Sequence, residues 1–254
     1  MHFDRKFLMS ALIVALSITP SIIQGISFGA SLERVQALWQ TETPILTSTE
    51  ISRMQKEAES GNMHAQAMLG IIYHDGRGVP KDLIKAFYWI EKGANQGSLG
   101  AQILLACMYR DGEGTSVDNK KAFYWVKKAA EQGEVESQLA VGRAYFEGTE
   151  GTIQNYGLAY YWLHRASMQG NSAAQSIIGL MCRDGIGTPR DYIQAYMWFN
   201  LSASEGGPGD EVVRNFRDKL ANQMTMGQIY EAQRLTREWK PVPEPASSIT
   251  IPAR

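Results

Sequence analysis

The sequence predicts an all-α fold, a solenoid of stacked helix–loop–helix units with capping helices at both ends. Two observations support this prediction. One unit of 36 or 37 residues occurs four times, and the apolar residues within each unit follow the period of an amphipathic helix. The repeat is clearest in two columns that we expect to form its structural core. They are Trp89, Trp125, Trp162 and Trp198, and Ala86, Ala122, Ala159 and Ala195.

Each unit is predicted to form a helix, a loop and a second helix. The apolar face of the first helix in copy one consists of Ala65, Leu69, Ile72 and Tyr73. The glycine-rich loop that follows breaks this helix. Asp82 then has the character of an N-cap, and Gly97 can end the second helix in the left-handed region. Gly70, halfway along the first helix, predicts close approach of a neighbouring helix, because glycine otherwise destabilises a helix interior.

The period divides most of the chain into predicted segments. The repeats are 62–97, 98–133, 134–170 and 171–206. A capping box beginning at Thr47 predicts a half-repeat over 48–61 that covers the first full copy. Polar helices over 207–240 are expected to cover the last copy, since stacked arrays need terminal caps. The proline-containing segment 241–254 is predicted to be a flexible tail.

The amino terminus has the pattern of a targeting segment. Arg5 and Lys6 precede an uncharged run over 7–32, whose dense apolar part has about the length of the hydrophobic region of a secretory signal peptide. We expect residues 1–29 to be a cleaved signal peptide. The alternative is an uncleaved membrane anchor, although Pro20 and several polar residues dilute its second half. Segment 30–47 is then a linker or short helix.

Composition excludes several classes of protein. With 25 basic and 26 acidic residues, the chain lacks the strong positive charge that nucleic-acid binding requires. Two cysteines supply neither a disulfide-rich scaffold nor a four-thiolate zinc site. Cys107 and Cys182 fall on first helices two copies apart, about 20 Å by helix packing distances, so they are predicted to be free thiols.

No pattern in the sequence indicates an enzyme, a metal site or a cofactor. The HExxH, GxSxG and phosphate-loop motifs are all missing. The recurring loop from Asp75 to Asp82 offers two carboxylates, too few for calcium, so we interpret its residues as turn and cap formers. His74 could pair with Asp75, but we expect a solvated histidine at a helix end.

The repeats resemble a known family. They follow the pattern Ala-x3-Leu-Gly-x2-Tyr-x2-Gly-x-Gly-Val-x2-Asp, then Lys-Ala-x2-Trp-x4-Ala-x2-Gly, over about residues 62–206. This is similar to the Sel-one-like repeat, a subclass of the tetratricopeptide-like solenoids. The resemblance implies a right-handed α-solenoid superhelix of stacked antiparallel helix pairs and a non-catalytic role as scaffold or adaptor for other proteins. It also implies export to the periplasm or secretion. If the amino-terminal segment is instead an uncleaved anchor, the alternative is an inner-membrane protein that faces the periplasm.

The resemblance further implies that first helices line a concave groove. A stripe of first-helix positions that differ between copies is the candidate binding surface: His74, Ile103, Arg110, Leu139, Arg143, Phe146, Leu180 and Arg183. An apolar groove edged by arginines suits a peptide with acidic residues. Alternatively, part of the stripe packs on the second helices. We expect a monomer that binds a protein or peptide, with no nucleic acid, and a membrane only through an uncleaved anchor. The alternative function is a cell-wall enzyme or a cell-wall carbohydrate-binding protein.

Overall fold

The computed structural model describes residues 46–149, 151–204 and 210–242. Within these ranges the chain forms eleven α-helices and no β-strand. None of these helices is both long enough and apolar enough to cross a bilayer. The predicted signal peptide, nearly all of the predicted linker and the tail after Val242 lie outside the described residues.

Contacts divide the chain into two compact units, with the division between Gln154 and Asn155, inside the third repeat. In the first unit each helix packs on the next one along the chain. Its helices are α1 Ser48–Glu59, α2 Met63–Asp75, α3 Leu83–Asn95, α4 Leu99–Asp111, α5 Asn119–Glu131 and α6 Val135–Glu147. In the second unit α8 packs on α7 and α9, and α9 also contacts α10 and α11. These helices are α7 Tyr156–Met168, α8 Ser172–Asp184, α9 Tyr192–Ser202, α10 Asp210–Ala221 and α11 Met226–Glu238.

The N-cap predicted at Asp82 is confirmed, and the equivalent residues of the other copies act in the same way. In each copy the side-chain oxygen accepts a hydrogen bond from the backbone N–H three residues later, which satisfies one of the free donors at the helix start. These caps are Asp82, Asp118, Asn155 and Asp191. The capping box at Thr47 and Glu50 is also present. The first helices have caps of their own at Asn62, Ser98, Glu134 and Asn171, which the sequence analysis did not identify.

Close helix packing explains the glycine in the middle of the first helix. A Cβ atom on Gly70 would lie 2.5 Å from Cγ1 of Ile90, a residue of the second helix in the same repeat. In the second unit, a Cβ on Gly179 would lie 2.6 Å from Cδ1 of Phe199. Neither distance is sterically possible, so the prediction of close helix approach at these positions is confirmed.

In copies two and four the second glycine of the loop makes a contact with the preceding repeat, which the sequence did not reveal. Gly114 has φ +70° and packs against the backbone of Leu83 in the preceding repeat, where a Cβ would overlap the carbonyl oxygen. Gly187 has φ +69° and meets the carbonyl of Tyr156 in the same way. Only glycine combines the left-handed conformation with such close approach. The loop therefore connects one repeat to the one before it.

A network of buried glutamines also joins neighbouring repeats. In each copy the amide Nε2 of one first-helix glutamine donates to a backbone carbonyl near the end of the preceding second helix. The donors Gln66, Gln102, Gln138 and Gln175 bond to Ala58, Ala94, Ala130 and Ser167 at 3.0–3.3 Å. In the first unit a second layer of glutamines donates to this first layer. Gln96 bonds to Gln66 at 2.6 Å, and Gln132 bonds to Gln102 at 2.7 Å.

The flanking helices pack on the terminal repeats. Helix α1 contacts α2 through a cluster that includes Ala58, Leu69 and Trp89. At the other end, Trp239 lies 6.3 Å from Trp198 between ring centroids. The backbone then continues to Val242, whose N–H donates to the Met168 carbonyl at 2.8 Å. The first two residues of the predicted flexible tail are therefore held against α7, while a capping role for α1, α10 and α11 stays a prediction.

Candidate functional site

The tryptophan and alanine columns lie inside the two units. Exposure of the tryptophans is 8% at Trp89, 9% at Trp125, 2% at Trp162 and 2% at Trp198. The alanines Ala86, Ala122, Ala159 and Ala195 are at most 4% exposed. Stacking on a sugar ring requires an accessible aromatic face, which these indoles do not offer. Both columns therefore belong to the packed framework of the repeats.

The apolar members of the first-helix stripe are buried as well. Ile103 and Leu139 in the first unit are each 3% exposed, and so is Leu180 in the second unit. A partner could not contact these side chains without displacing their neighbours. Their burial favours the alternative in which part of the stripe packs on second helices. The accessible part of the stripe consists of its polar residues and Phe146.

Two arginines of the stripe, one in each unit, pair with the aspartate that follows them in sequence, with the same geometry. The guanidinium of Arg110 donates from Nε and one terminal nitrogen to the carboxylate of Asp111, at 2.8 and 2.7 Å. Arg183 pairs with Asp184 through the same atoms, at 2.7 Å for both bonds. Such two-point pairs hold the guanidinium in a defined plane. The predicted cationic edge is therefore compensated by a carboxylate at each of these positions.

The remaining stripe residues are also partly buried and engaged. Arg143 lies 3.5 Å from Glu147 across one helical turn, with 26% of its side chain exposed. Gln154 donates from Nε2 to the backbone carbonyl of Phe146 at 2.9 Å. In the second unit the guanidinium of Arg183 lies over the ring of Phe216, 5.4 Å from its centroid. Arg183 thus also contributes to packing of α10, a role that the sequence did not reveal.

His74 is not the solvated histidine that the sequence analysis expected. Its Nδ1 lies 2.8 Å from Asp75, and its Nε2 lies 3.0 Å from Glu113 in the loop of the second repeat. Arg77 pairs with the other oxygen of Asp75 at 2.8 Å. Only 19% of the His74 side chain is exposed. The solvated interpretation is wrong because Glu113, 39 residues away in sequence, is brought to the imidazole by repeat stacking.

The loop carboxylates are used for capping and pairing. The backbone N–H of Lys85 donates to Asp82 and lowers the pKa of its carboxyl group. The Asp75 carboxylate contacts His74 through one oxygen and Arg77 through the other. In residues 46–149, 151–204 and 210–242, no three His, Cys, Asp or Glu side chains lie close enough to hold a metal ion.

Both cysteines are free and buried, as predicted. Cys107 in the first unit and Cys182 in the second are each 3% exposed. Burial raises the pKa of each thiol to about 11. The reactive thiolate is therefore scarce at neutral pH, and neither side chain has the character of a nucleophile.

Two of the contacts found in the structure could have been predicted from the repeats, namely the arginine–aspartate pairs and the buried glutamines. The dipeptide Arg-Asp ends the first helix in copies two and four, which indicates a local pair at Arg110 and at Arg183. The glutamine column is as regular as the tryptophan column, and a regular polar column indicates a buried hydrogen bond. No pattern in the sequence linked His74 to Glu113.

Comparison with known proteins agrees with this architecture. The Sel1 repeat family matches four segments, residues 64–98, 100–134, 135–171 and 172–207. These segments begin one or two residues after the repeat bounds drawn from the period. Among curated protein sequences, none matches the chain.

Two solved structures support the family and the fold. A Sel1 repeat protein from Oxalobacter formigenes is 31% identical, with a TM-score of 0.60; the match covers 71% of this chain and 51% of that protein. A protective antigen of uropathogenic Escherichia coli strains, which displays an SLR fold, is also 31% identical, with a TM-score of 0.58 and coverage of 86% and 46%. The chain thus spans about half the length of either protein. It has the all-α solenoid fold class that the repeats predict, and it belongs to the Sel1 repeat family.

Proposed function

We propose that this chain is a non-catalytic scaffold of the bacterial envelope or secretome, which acts as a monomer and binds a protein partner along its first helices. Sel1 repeat proteins generally are protein-interaction scaffolds. The observation that carries the proposal is the contrast between a constant framework and a variable last turn in each first helix. That turn holds His74, Arg110, Phe146 and Arg183 at equivalent positions, all partly exposed.

The ion pair between Arg110 and Asp111 limits the free energy that an acidic partner gains by binding at this position. Asp111 already binds one edge of the Arg110 guanidinium, through Nε and one terminal nitrogen. A carboxylate of the partner would meet a cation whose charge is already compensated, so much of the net gain in free energy must come from burial of Phe146, the accessible apolar residue of the stripe. An acidic peptide with an apolar residue that contacts Phe146 fits these requirements.

Export rests on the amino-terminal pattern. The uncharged run after Arg5 and Lys6 has the composition of a signal peptide. Amino-terminal sequencing of the protein from its native host would give a mature start near residue 30. Recovery of an intact amino terminus in the membrane fraction would instead indicate the anchored form.

The groove is tested by charge reversal in the first unit. Arg110→Glu with Arg143→Glu should reduce crosslinked partner about tenfold, because each carboxylate repels an acidic partner. Arg183 is left unchanged, since its contact with Phe216 would confound the result. The control Arg53→Glu with Arg237→Glu has the same net charge and alters exposed positions. Equal recovery of partner by both double variants, at equal melting temperature, would show that the stripe is not the binding surface.

A further inference from the structure

A second surface differs from the first-helix stripe in its chemistry. It is formed by the outward residues of α3 and α5 and is called here the outer face. Two exposed tyrosines occupy equivalent positions on it, Tyr88 at 48% exposure and Tyr124 at 52%. The remaining members are Ile84, Lys85, Lys92, Lys120, Lys121, Lys127 and Lys128. Exposed tyrosines are enriched at binding surfaces because one end of the side chain is apolar and the other is polar. The surrounding lysines give this surface its charge.

The outer face has an excess of positive charge. Counted from the N-cap of each second helix, residues 82–95 and 118–131 contain six lysines and four carboxylates, whereas the whole chain has a net charge of −1. Among the residues that the structure describes, no carboxylate lies within ion-pair distance of Lys92, Lys120 or Lys127. The second helices of copies three and four lack this feature, since 155–168 and 191–202 contain one arginine and one aspartate between them. The charge is thus confined to the first two copies.

The tyrosines and lysines form one arrangement that is repeated. Lys92 Nζ lies 4.5 Å from the ring centroid of Tyr88, and Lys128 Nζ lies 5.7 Å from that of Tyr124. Lys128 also contacts Glu131 at 3.3 Å. The two helices pack on the next first helix in the same way, because Phe87 meets Tyr109 and Phe123 meets Tyr145 edge to face at 5.3 and 5.5 Å. Both tyrosine–lysine pairs therefore face the same side of the unit.

We propose that the outer face binds an extended peptide that carries an acidic residue at every third position. Like helices of neighbouring copies are about 10 Å apart by helix packing distances. A polyproline II peptide has three residues per turn and advances about 9 Å per turn. Acids at every third position therefore lie on one side of the peptide, at the spacing of Lys92 and Lys128, and their charge complements that of the surface.

The proposal is tested with synthetic peptides and the purified full-length chain. The probe is fluorescein-labelled (Glu-Pro-Pro)5, measured by fluorescence anisotropy at about 50 mM salt. A peptide of the same composition with its five glutamates in one block should bind at least about fivefold more weakly, because most of its acids then point away from the lysines. (Lys-Pro-Pro)5 should not bind. Equal affinity of the regular and block peptides would overturn the spacing argument.

Variants then locate the site. Lys92→Gln with Lys128→Gln should weaken (Glu-Pro-Pro)5 binding about tenfold, since two charge-assisted contacts are lost. The control Lys56→Gln with Lys219→Gln has the same net charge and should leave the affinity unchanged. An equal loss in the control would mean that only net charge matters, which overturns the proposal. The proposal would also be overturned if the protein does not bind (Glu-Pro-Pro)5 but does sediment with phosphatidylglycerol vesicles. Arg110→Glu with Arg143→Glu should bind the peptide normally, which separates this site from the first-helix stripe.

Discussion

The buried glutamine network gives a prediction whose size follows from its hydrogen bonds. Gln102 is 5% exposed, donates to the Ala94 carbonyl at 3.3 Å and accepts from Gln132 at 2.7 Å. Methionine has a similar length and volume, so Gln102→Met removes both bonds and leaves the packing nearly intact. The substitution therefore separates hydrogen bonding from cavity formation.

Both partners of Gln102 keep another hydrogen bond in the variant. The Ala94 carbonyl also accepts from the Gly97 N–H at 3.0 Å, and Gln132 Nε2 also donates to the Gly97 carbonyl at 3.0 Å. The penalty for a wholly unpaired buried group therefore does not apply. Two net hydrogen bonds of about 1 kcal/mol each give a loss of about 2 kcal/mol in the free energy of unfolding.

Urea unfolding followed by far-ultraviolet circular dichroism measures this loss. The urea concentration at the midpoint should fall, while the dependence of the unfolding free energy on urea stays constant. A constant dependence means that unfolding exposes the same surface as in the unmodified protein. Gln55→Met, on the exposed surface of α1, is the matched control and should change stability by less than about 0.5 kcal/mol. A similarly small effect of Gln102→Met would refute the view that the glutamine network holds neighbouring repeats together.

Three further predictions follow from burial and close packing. Gly114→Ala should lower the free energy of unfolding by about 2–4 kcal/mol, because an alanine there is strained and overlaps the Leu83 carbonyl. Gly97 has open space around it, so Gly97→Ala should lower it by only about 1 kcal/mol through backbone strain. Iodoacetamide should label Cys107 and Cys182 in urea but leave both unmodified in the folded protein, as mass spectrometry can show. Burial lowers the pKa of His164, so protonation of this side chain opposes folding. The urea midpoint should therefore fall as the pH drops below the ordinary histidine pKa. The variant His164→Phe should lack this part of the pH dependence.

The parts of the fold that the sequence predicted are determined locally. A cap such as Asp82 acts on the backbone three residues away, and the period of apolar residues fixes which face of α2 is buried. Gly70 was also informative, because a glycine inside a helix indicates close packing. Each of these features is visible within one repeat, and the recurrence of the repeat in four copies made them unambiguous.

The candidate site was harder to predict because it depends on contacts between repeats. Variation between copies suggested a surface stripe, yet Ile103 and Leu139 are buried, since apolar residues can be exchanged inside a core as readily as on a surface. The pairing of His74 with Glu113 depends on the rise from one repeat to the next, which no local pattern encodes. Side-chain environments at repeat boundaries therefore require the structure.

The state of the charges distinguishes the two proposed surfaces. On the first-helix stripe, Arg110 and Arg183 are paired with the adjacent aspartates, so their charges are compensated at short range. On the outer face, Lys92 has no carboxylate within ion-pair distance in the described part of the chain and lies over an aromatic ring. Uncompensated charges attract a ligand over a Debye length, whereas paired ones do not. Binding at the outer face should therefore weaken steeply with added salt, while binding at the first-helix stripe depends on shape and is less sensitive to salt.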